Sequence, residues 1–187
     1  YGYSIDKFND TKNELERLNK ESLEVNCISN VLWEIPVCYD EIYGFDINSF
    51  CRSKGITSAE LIELHSSPLY TVYFLGFLPG FPYLGGLDAR LHMERKSKPR
   101  LKIPMGSVAI GGEQTGIYTQ NSPGGWHIIG KTPVVLFDPN QSPPCVIEPG
   151  HKLRFNPVSK DEFKTLESLV KESKYSLKSQ DLDAAST

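Results

Sequence analysis

Between Tyr70 and Pro139 the chain carries 11 of its 15 glycines, interleaved with prolines and aromatic residues. The run reads YTVYFLGFLPGFPYLGGL, then PRLKIPMGSVAIGGEQTGIYTQNSPGGWHIIGKTPVVLFDP. Glycine admits left-handed turns and lets a neighbouring backbone or ligand come close, while proline fixes φ. Both weaken regular elements, so a stretch this rich in them is shaped for a surface or a pocket rather than for filling a core. Within it the helical period is absent. Short β-rich runs recur at 69–75, 107–111, 115–120, 126–129, 133–137 and 152–155, separated by Gly, Pro and Asn turns. Many short strands with turn signals between them indicate a barrel or sandwich. The segment from Gly76 to Pro104 is too irregular for one strand and too long for an ordinary connection, which marks it as a functional loop.

The rest of the chain frames this stretch. Residues 9–20 read as a short helix capped by Asp10 or Thr11, with Leu15 and Leu18 as a narrow apolar stripe, and Glu21 to Asn30 as a polar linker. Residues 1–30 therefore look like the end of a unit that begins upstream, and a chain opening on Tyr1 reads as a fragment. Val31 to Tyr39 alternates as a strand, and Pro36 gives it an edge position. Asp46 to Lys54 forms a helix stopped by Gly55; Thr57 and Glu60 form a capping box ahead of a second helix ending at His65. Ser159 and Glu162 open a third, with Phe163, Leu166, Leu169 and Val170 at helical spacing, while 174–187 is polar and expected to fray. The expected division is 1–30, 31–158 and 159–187.

Composition bounds the partners. A length of 187 residues, 39% hydrophobic and 23% charged, suits one domain with an appendage, and a net charge of −3 gives no basis for nucleic-acid or anionic-membrane binding. No apolar run reaches a membrane span. Cys27, Cys38, Cys51 and Cys145 form no C-x-x-C pair, and three have apolar neighbours, which suits buried free thiols in the cytoplasm.

The motifs divide by the chemistry they can carry. Gly125 to Thr132 satisfies the phosphate-loop pattern G-x-x-x-x-G-K-[ST], but Trp126, His127, Ile128 and Ile129 favour a strand, and Pro133 denies the helix that must follow. Asn121 to Gly125 is a sharp turn: a tight hairpin explains it, and so does a site where Ser122 and the N–H groups of Gly124 and Gly125 meet an anion or carbonyl. The loop Phe77 to Gly86 holds Phe77, Pro79, Phe81 and Tyr83 in fixed positions that favour a binding surface over a core plug. In the basic run from Asp88 to Lys102, Arg100 leads into IPMGS, with Ser107 at its end, and so offers a guanidinium to a carboxylate or phosphate. No histidine pair has metal-ligand spacing, and no Ser-His-Asp or Cys-His set is visible, so no metal ligated by this chain is expected.

GFLPGFPYLGGL, PR…IPMGSVAIGGEQTGIY, SPGGWHIIGKTP and LFDP together resemble the allophanate hydrolase subunit 1 family over roughly residues 33–157. Its members include the B subunit of the prokaryotic ATP-dependent 5-oxoprolinase, the inhibitor of a sporulation histidine kinase, and one lobe of the urea carboxylase carboxyltransferase domain. The resemblance implies a mainly β fold: a cyclophilin-like β-barrel with flanking helices, preceded by the remnant of a ferredoxin-like α+β domain. It also implies a role beside the homologous C subunit and a third, A, subunit of the 5-oxoprolinase complex. Together these hydrolyse 5-oxoproline to L-glutamate, the complex as a whole using ATP. On that footing Arg100 is expected to hold the substrate carboxylate or phosphate. Gln114, Tyr118 and Ser122 are expected to hydrogen-bond the ring amide, and His65 to carry a proton. Phe77, Phe81, Tyr83 and Trp126 line the groove. The alternatives are an inhibitor whose aromatic groove docks a proline-containing segment of a histidine kinase, and a component of an allophanate hydrolase or urea amidolyase.

Overall fold

The computed structural model describes residues 5–21 and 31–182. A helix α1 (Ile5–Glu21) comes first. Then follow β1 (Val31–Val37), α2 (Ile47–Lys54), α3 (Ser58–Ser66), β2 (Tyr70–Leu75), β3 (Pro82–Gly85) and β4 (Arg100–Ile103). The chain continues through β5 (Ser107–Gly111), β6 (Gln114–Ile117), β7 (Ser122–Gly124), β8 (His127–Lys131), β9 (Lys152–Pro157), α4 (Lys160–Lys171) and β10 (Lys178–Asp181). Eight strands form one mixed sheet in the order β10-β1-β9-β2-β3-β6-β5-β8, and β4 with β7 form a separate two-stranded sheet. Only β1 and β9 run parallel; the other pairs of the large sheet are antiparallel.

The fold is mainly β with flanking helices, as the turn-rich sequence indicates. The large sheet curls until Cys38, just past β1, exchanges both backbone hydrogen bonds with Lys131 of β8, at 2.8 and 2.9 Å. Barrel-like closure rests on that single bridge and not on a full ladder. The main core fills the inside of the curl: Ile35, Val37, Tyr70, Val72, Leu84, Val108, Ile110, Ile129, Leu153 and Phe155 from the strands, with Phe50 and Leu61 from α2 and α3. A second cluster of Phe81, Ile103, Ala109, Tyr118, Trp126 and Ile128 lies apart from it.

The helix starts follow their sequence signals. Thr57 and Ser159 each accept from the backbone N–H three residues on, and Glu60 and Glu162 bond back to the cap N–H, so both capping boxes are complete. A cap of this kind stabilises its helix by about 1 kcal/mol. Gly55 closes α2 with φ 68°, a left-handed value that its missing Cβ permits. The stretch from Gly125 to Thr132 contains strand β8 and no helix, so no phosphate loop exists there.

Four sequence expectations need correction. Helix α1 begins at Ile5, which places Asp10 and Thr11 inside it rather than at its cap. Pro133 to Phe137 forms no strand: Pro133 has no N–H, and Val134 N–H turns to Thr132 Oγ1 at 3.2 Å. Val134 and Leu136 still point inward, so burial alternates without a ladder. The polar tail does not fray throughout; Lys178–Glu34 through Asp181–Val31 pair β10 against β1. Strand β1 is thereby covered along its first half, and Pro36 falls where only β9 pairs with it. Cys27, and the rest of 22–30, lie outside the described residues. Among the described residues, no helix is long and apolar enough to cross a membrane.

Candidate functional site

Two loops and one strand connection build a cavity of about 210 Å³ on the face of the sheet that carries the second cluster. One wall is the loop between β2 and β3. Gly76 N–H bonds Phe81 O at 3.1 Å, Phe81 N–H bonds Leu78 O at 3.0 Å, and Gly80 turns the chain at φ 72°. This tight loop presents Phe77 at the cavity mouth, 62% exposed and at φ 65°, a left-handed conformation that costs a non-glycine residue about 1 kcal/mol or more. Below it Phe81 is the hub. Its ring meets Phe77, Tyr118 and Trp126 edge to face, with centroids 5.7, 5.3 and 5.6 Å away. Edge-to-face contact is the favoured geometry for such rings.

The rings can sit this deep because glycines lie under them. A Cβ on Gly111 would stand 2.5 Å from the Trp126 indole, and one on Gly116 would stand 2.9 Å from the Phe81 ring. The Tyr118 hydroxyl likewise lies where a side chain on Gly124 would have to go. The density of glycine in this stretch is thus explained by ring seating as much as by turns. Burial raises the Tyr118 pKa above its ordinary value, although the backbone N–H of Trp126 bonded to it and the charges of Arg95 and Arg100 pull the other way. At neutral pH the phenol is protonated and can donate into the cavity.

The third wall is the segment from Met93 to Pro99, held at several points. Met93 and Gly112 exchange backbone hydrogen bonds at 3.0 and 2.8 Å, Lys96 N–H bonds Gly125 O at 2.7 Å, and His127 Nε2–H donates to Glu94 O at 2.9 Å. Asp46, the residue before α2, anchors the far end. Arg100 donates to both its carboxylate oxygens at 2.8 and 2.7 Å, Lys96 Nζ approaches at 2.9 Å, and Ile128 N–H donates at 2.8 Å. Burial opposes ionisation of Asp46, but these donors outweigh it and hold its carboxyl below the usual carboxylate range. A larger and more polar cavity, about 540 Å³, adjoins along the sheet and includes Gln114, Glu113, Glu94 and His92 in its lining. Arg95 lines both cavities.

Of the residues singled out from sequence, Phe77, Phe81, Tyr118, Gly124, Gly125 and Trp126 come together around the aromatic cavity, with Tyr83. Pro79 stays in the loop, its carbonyl accepting from Thr119 Oγ1 at 2.7 Å. Gln114 faces the polar cavity instead. Ser107 is buried in β5, and the Ser122 hydroxyl donates to the Pro123 carbonyl at 3.1 Å. Two expectations are corrected by geometry. Arg100 is not a free guanidinium, because Asp46 occupies it bidentately. His65 is not poised to carry protons: it is fully buried, stacked on Phe155 at 4.5 Å, and burial pushes its pKa down to about 3. Thr115 Oγ1 donates to Ala109 O at 3.0 Å, so it accepts from His65 Nε2–H at 2.8 Å, and Tyr39 O–H donates to Nδ1 at 2.7 Å. Nothing in the sequence sets Arg95 apart from the other cations of its basic run, and Asp46 reads there only as a helix start.

The chain matches the family described as carboxyltransferase domain, subdomain C and D, over residues 3–147. It is 40% identical over 156 residues to the 5-oxoprolinase B subunit of Bacillus subtilis (strain 168), covering 83% of this chain and 65% of that protein. With the 5-oxoprolinase B subunit of Escherichia coli O157:H7 it shares 49% identity over 124 residues, 66% of this chain and 57% of that one. The chain thus spans less than two thirds of the length of these curated relatives. The crystal structure of the conserved uncharacterized protein PH0987 from Pyrococcus horikoshii superposes with a TM-score of 0.69 at 45% identity, covering 86% of this chain and 74% of that one.

Proposed function

Because this chain belongs to the family of the carboxyltransferase domain, subdomain C and D, we propose that it is part of the B subunit of an ATP-dependent 5-oxoprolinase. In this reading it acts with the homologous C subunit and with the A subunit to open 5-oxoproline to L-glutamate. The observation that carries the reading is the aromatic cavity, taken with the kinship to two proteins named as B subunits of 5-oxoprolinase. Its volume lies below the roughly 300–1,000 Å³ of sites for drug-sized ligands, which suits one small ring. Flat aromatic walls and the Tyr118 hydroxyl suit a planar amide that needs one hydrogen-bond donor at its carbonyl.

Among the described residues that line it, the same cavity contains no paired acid and base. The Tyr118 hydroxyl is held protonated, and the histidine of the core is sealed off. Hydrolysing a lactam breaks its C–N bond, adds hydroxide to the carbonyl carbon and gives a proton to nitrogen. The carbonyl must be activated first, and in this reading that step draws on ATP and on groups of the other subunits. This chain binds and orients the ring, and its cavity is half of a shared site.

A second reading draws on the exposed aromatics Tyr73, Phe74 and Phe77 beside the cavity: an inhibitor that docks a proline-containing segment of a histidine kinase. One experiment separates the two. The full-length chain is co-expressed with candidate A and C subunits and assayed for ATP-dependent release of glutamate from 5-oxoproline. Copurification and turnover are expected; failure to copurify with either of them, together with binding to a kinase, would favour the inhibitor.

A further inference from the structure

We propose that Arg95 is the anion-binding residue of the aromatic cavity, taking the carboxylate of a small cyclic substrate whose ring lies among Phe77, Phe81 and Trp126. The inference rests on the ring-binding reading above and adds the feature that would select the ligand.

Charge is scarce in this cavity. The rest of its lining is aromatic, prolyl or glycyl; Arg95 is the one charged residue among the described residues that line it. Its guanidinium carbon stands 5.5 Å from the centroid of the Trp126 ring, over its face. Stacking on an indole fixes the plane of a guanidinium while leaving its N–H edge free, and that edge is the part that pairs with a carboxylate through two parallel hydrogen bonds. Three cations of the same basic run are spent: Arg100 and Lys96 share Asp46, and Arg90 pairs with Asp88 at 2.7 Å, while Lys98 and Lys102 do not line the cavity. Arg95 has no carboxylate within ion-pair distance among the described residues.

The backbone around Arg95 is fixed although its side chain is exposed. Glu94 O is held by His127, Lys96 N–H by Gly125, and the next turn of chain by Asp46. A residue with both neighbours pinned meets a ligand with little backbone ordering left to do, which favours affinity. The surroundings also orient the ligand. On the other side of Arg95 the polar cavity carries the carboxylates of Glu94 and Glu113, with His92 and Gln114. Those two carboxylates repel an anion that strays past the arginine, so the favoured pose places the acid group at the divide and the ring in the aromatic cavity. A neutral lactam would gain the ring contacts alone.

The test titrates the full-length chain, assembled with its partner subunits where they associate, with three probes: 5-oxoproline, the uncharged 2-pyrrolidinone and inorganic phosphate. Calorimetric heat and tryptophan emission report binding. The wild type is expected to bind 5-oxoproline at least about tenfold more tightly than 2-pyrrolidinone, the ratio one charge-assisted pair supplies. In Arg95→Gln the ratio should fall below about threefold with 2-pyrrolidinone unaffected, and Arg95→Lys should recover part of it. The melting temperature should fall by a few degrees at most, since Arg95 makes no ion pair among the described residues and gives up only its stacking on Trp126. Retained discrimination in Arg95→Gln overturns the inference, as does failure of the wild type to bind any probe. Phosphate competing as strongly as 5-oxoproline, and lost in the same variant, replaces it with a bare anion site. Turnover by the wild-type complex is scored separately. Glutamate release with an unchanged KM in Arg95→Gln removes only Arg95, whereas Arg95-dependent binding without turnover removes only the enzymatic reading.

Discussion

Thr115 and Gly116 are consecutive residues of one strand, and they serve two opposite environments. Thr115 faces the core, where it joins Tyr39 and His65 in a chain of hydrogen bonds that ends on the Ala109 carbonyl. Gly116 faces the other way and lies under the Phe81 ring at the base of the aromatic cavity. Strand alternation puts the two a residue apart and on opposite faces. On the core side these polar side chains are partnered and sealed from solvent. On the cavity side a phenol and a guanidinium remain open to a visitor. A buried histidine is therefore the poorer guide to chemistry here, because its pKa follows from sealing and not from readiness to act.

The difference can be tested by disturbing each side in turn. The largest effect is expected from Asp46→Ala. It strips the shared anion from Arg100 and Lys96 and leaves the Ile128 N–H without its acceptor. Asp46 is buried but Arg100 and Lys96 are a quarter to a third exposed, so the loss should lie between that of an exposed and of a fully buried pair, about 2 kcal/mol. Denaturant unfolding should show that loss, with weaker binding to the aromatic cavity as its wall loosens. A loss under about 1 kcal/mol, no more than an exposed pair supplies, would mean that the Met93–Pro99 segment does not depend on this anchor.

The second test is acid. His65 has a folded pKa near 3 against an ordinary 6.5. Its contribution is fully present above about pH 6.5 and is lost as pH falls toward 3, because in that window the unfolded chain takes up a proton that the native state refuses. The slope is about 1.4 kcal/mol per pH unit, so roughly 2 kcal/mol should disappear between pH 7 and pH 5. His65→Gln, which keeps a donor and an acceptor, should flatten that decline while leaving ligand binding at pH 7 unchanged. A variant that instead abolished binding would return His65 to the site.

The smallest effect is expected at the cavity mouth. Phe77→Gly relieves a left-handed φ but gives up the ring's contacts with Phe81 and Tyr118, so stability should change by less than about 1 kcal/mol while binding weakens several-fold through the lost rim. A stability loss larger than that would mean that the ring contacts of Phe77, and not its backbone conformation, set the energetics at the mouth.

Much of the fold was legible because local signals were strong. The Thr57 and Ser159 capping boxes, the Gly55 stop and the strand at Ser107–Gly111 all fell where the sequence placed them. Where longer-range partners decide, the sequence was mute. Val134 to Leu136 alternates like a strand but has no ladder beside it, and Lys178–Asp181 reads as a polar tail until β1 offers an edge. The aromatic half of the site was legible from its glycines, prolines and rings. Its charged half was not. Arg100 and Arg95 look alike in a basic run, and only the distant Asp46, 54 positions from Arg100, distinguishes the occupied guanidinium from the open one.

The seating of rings on glycine has a consequence for how such a cavity can change. Trp126 and Phe81 already rest against bare backbone, so nothing beneath them can be trimmed to make room for a bulkier ligand. Any other residue under them lifts the ring and closes the space. Variation in ligand size is thus one-sided: it must come from the upper rim, at Phe77 or Tyr83, while the floor permits a single residue type. Selection for a new substrate in this scaffold should accordingly leave its record in the mouth and none in the base.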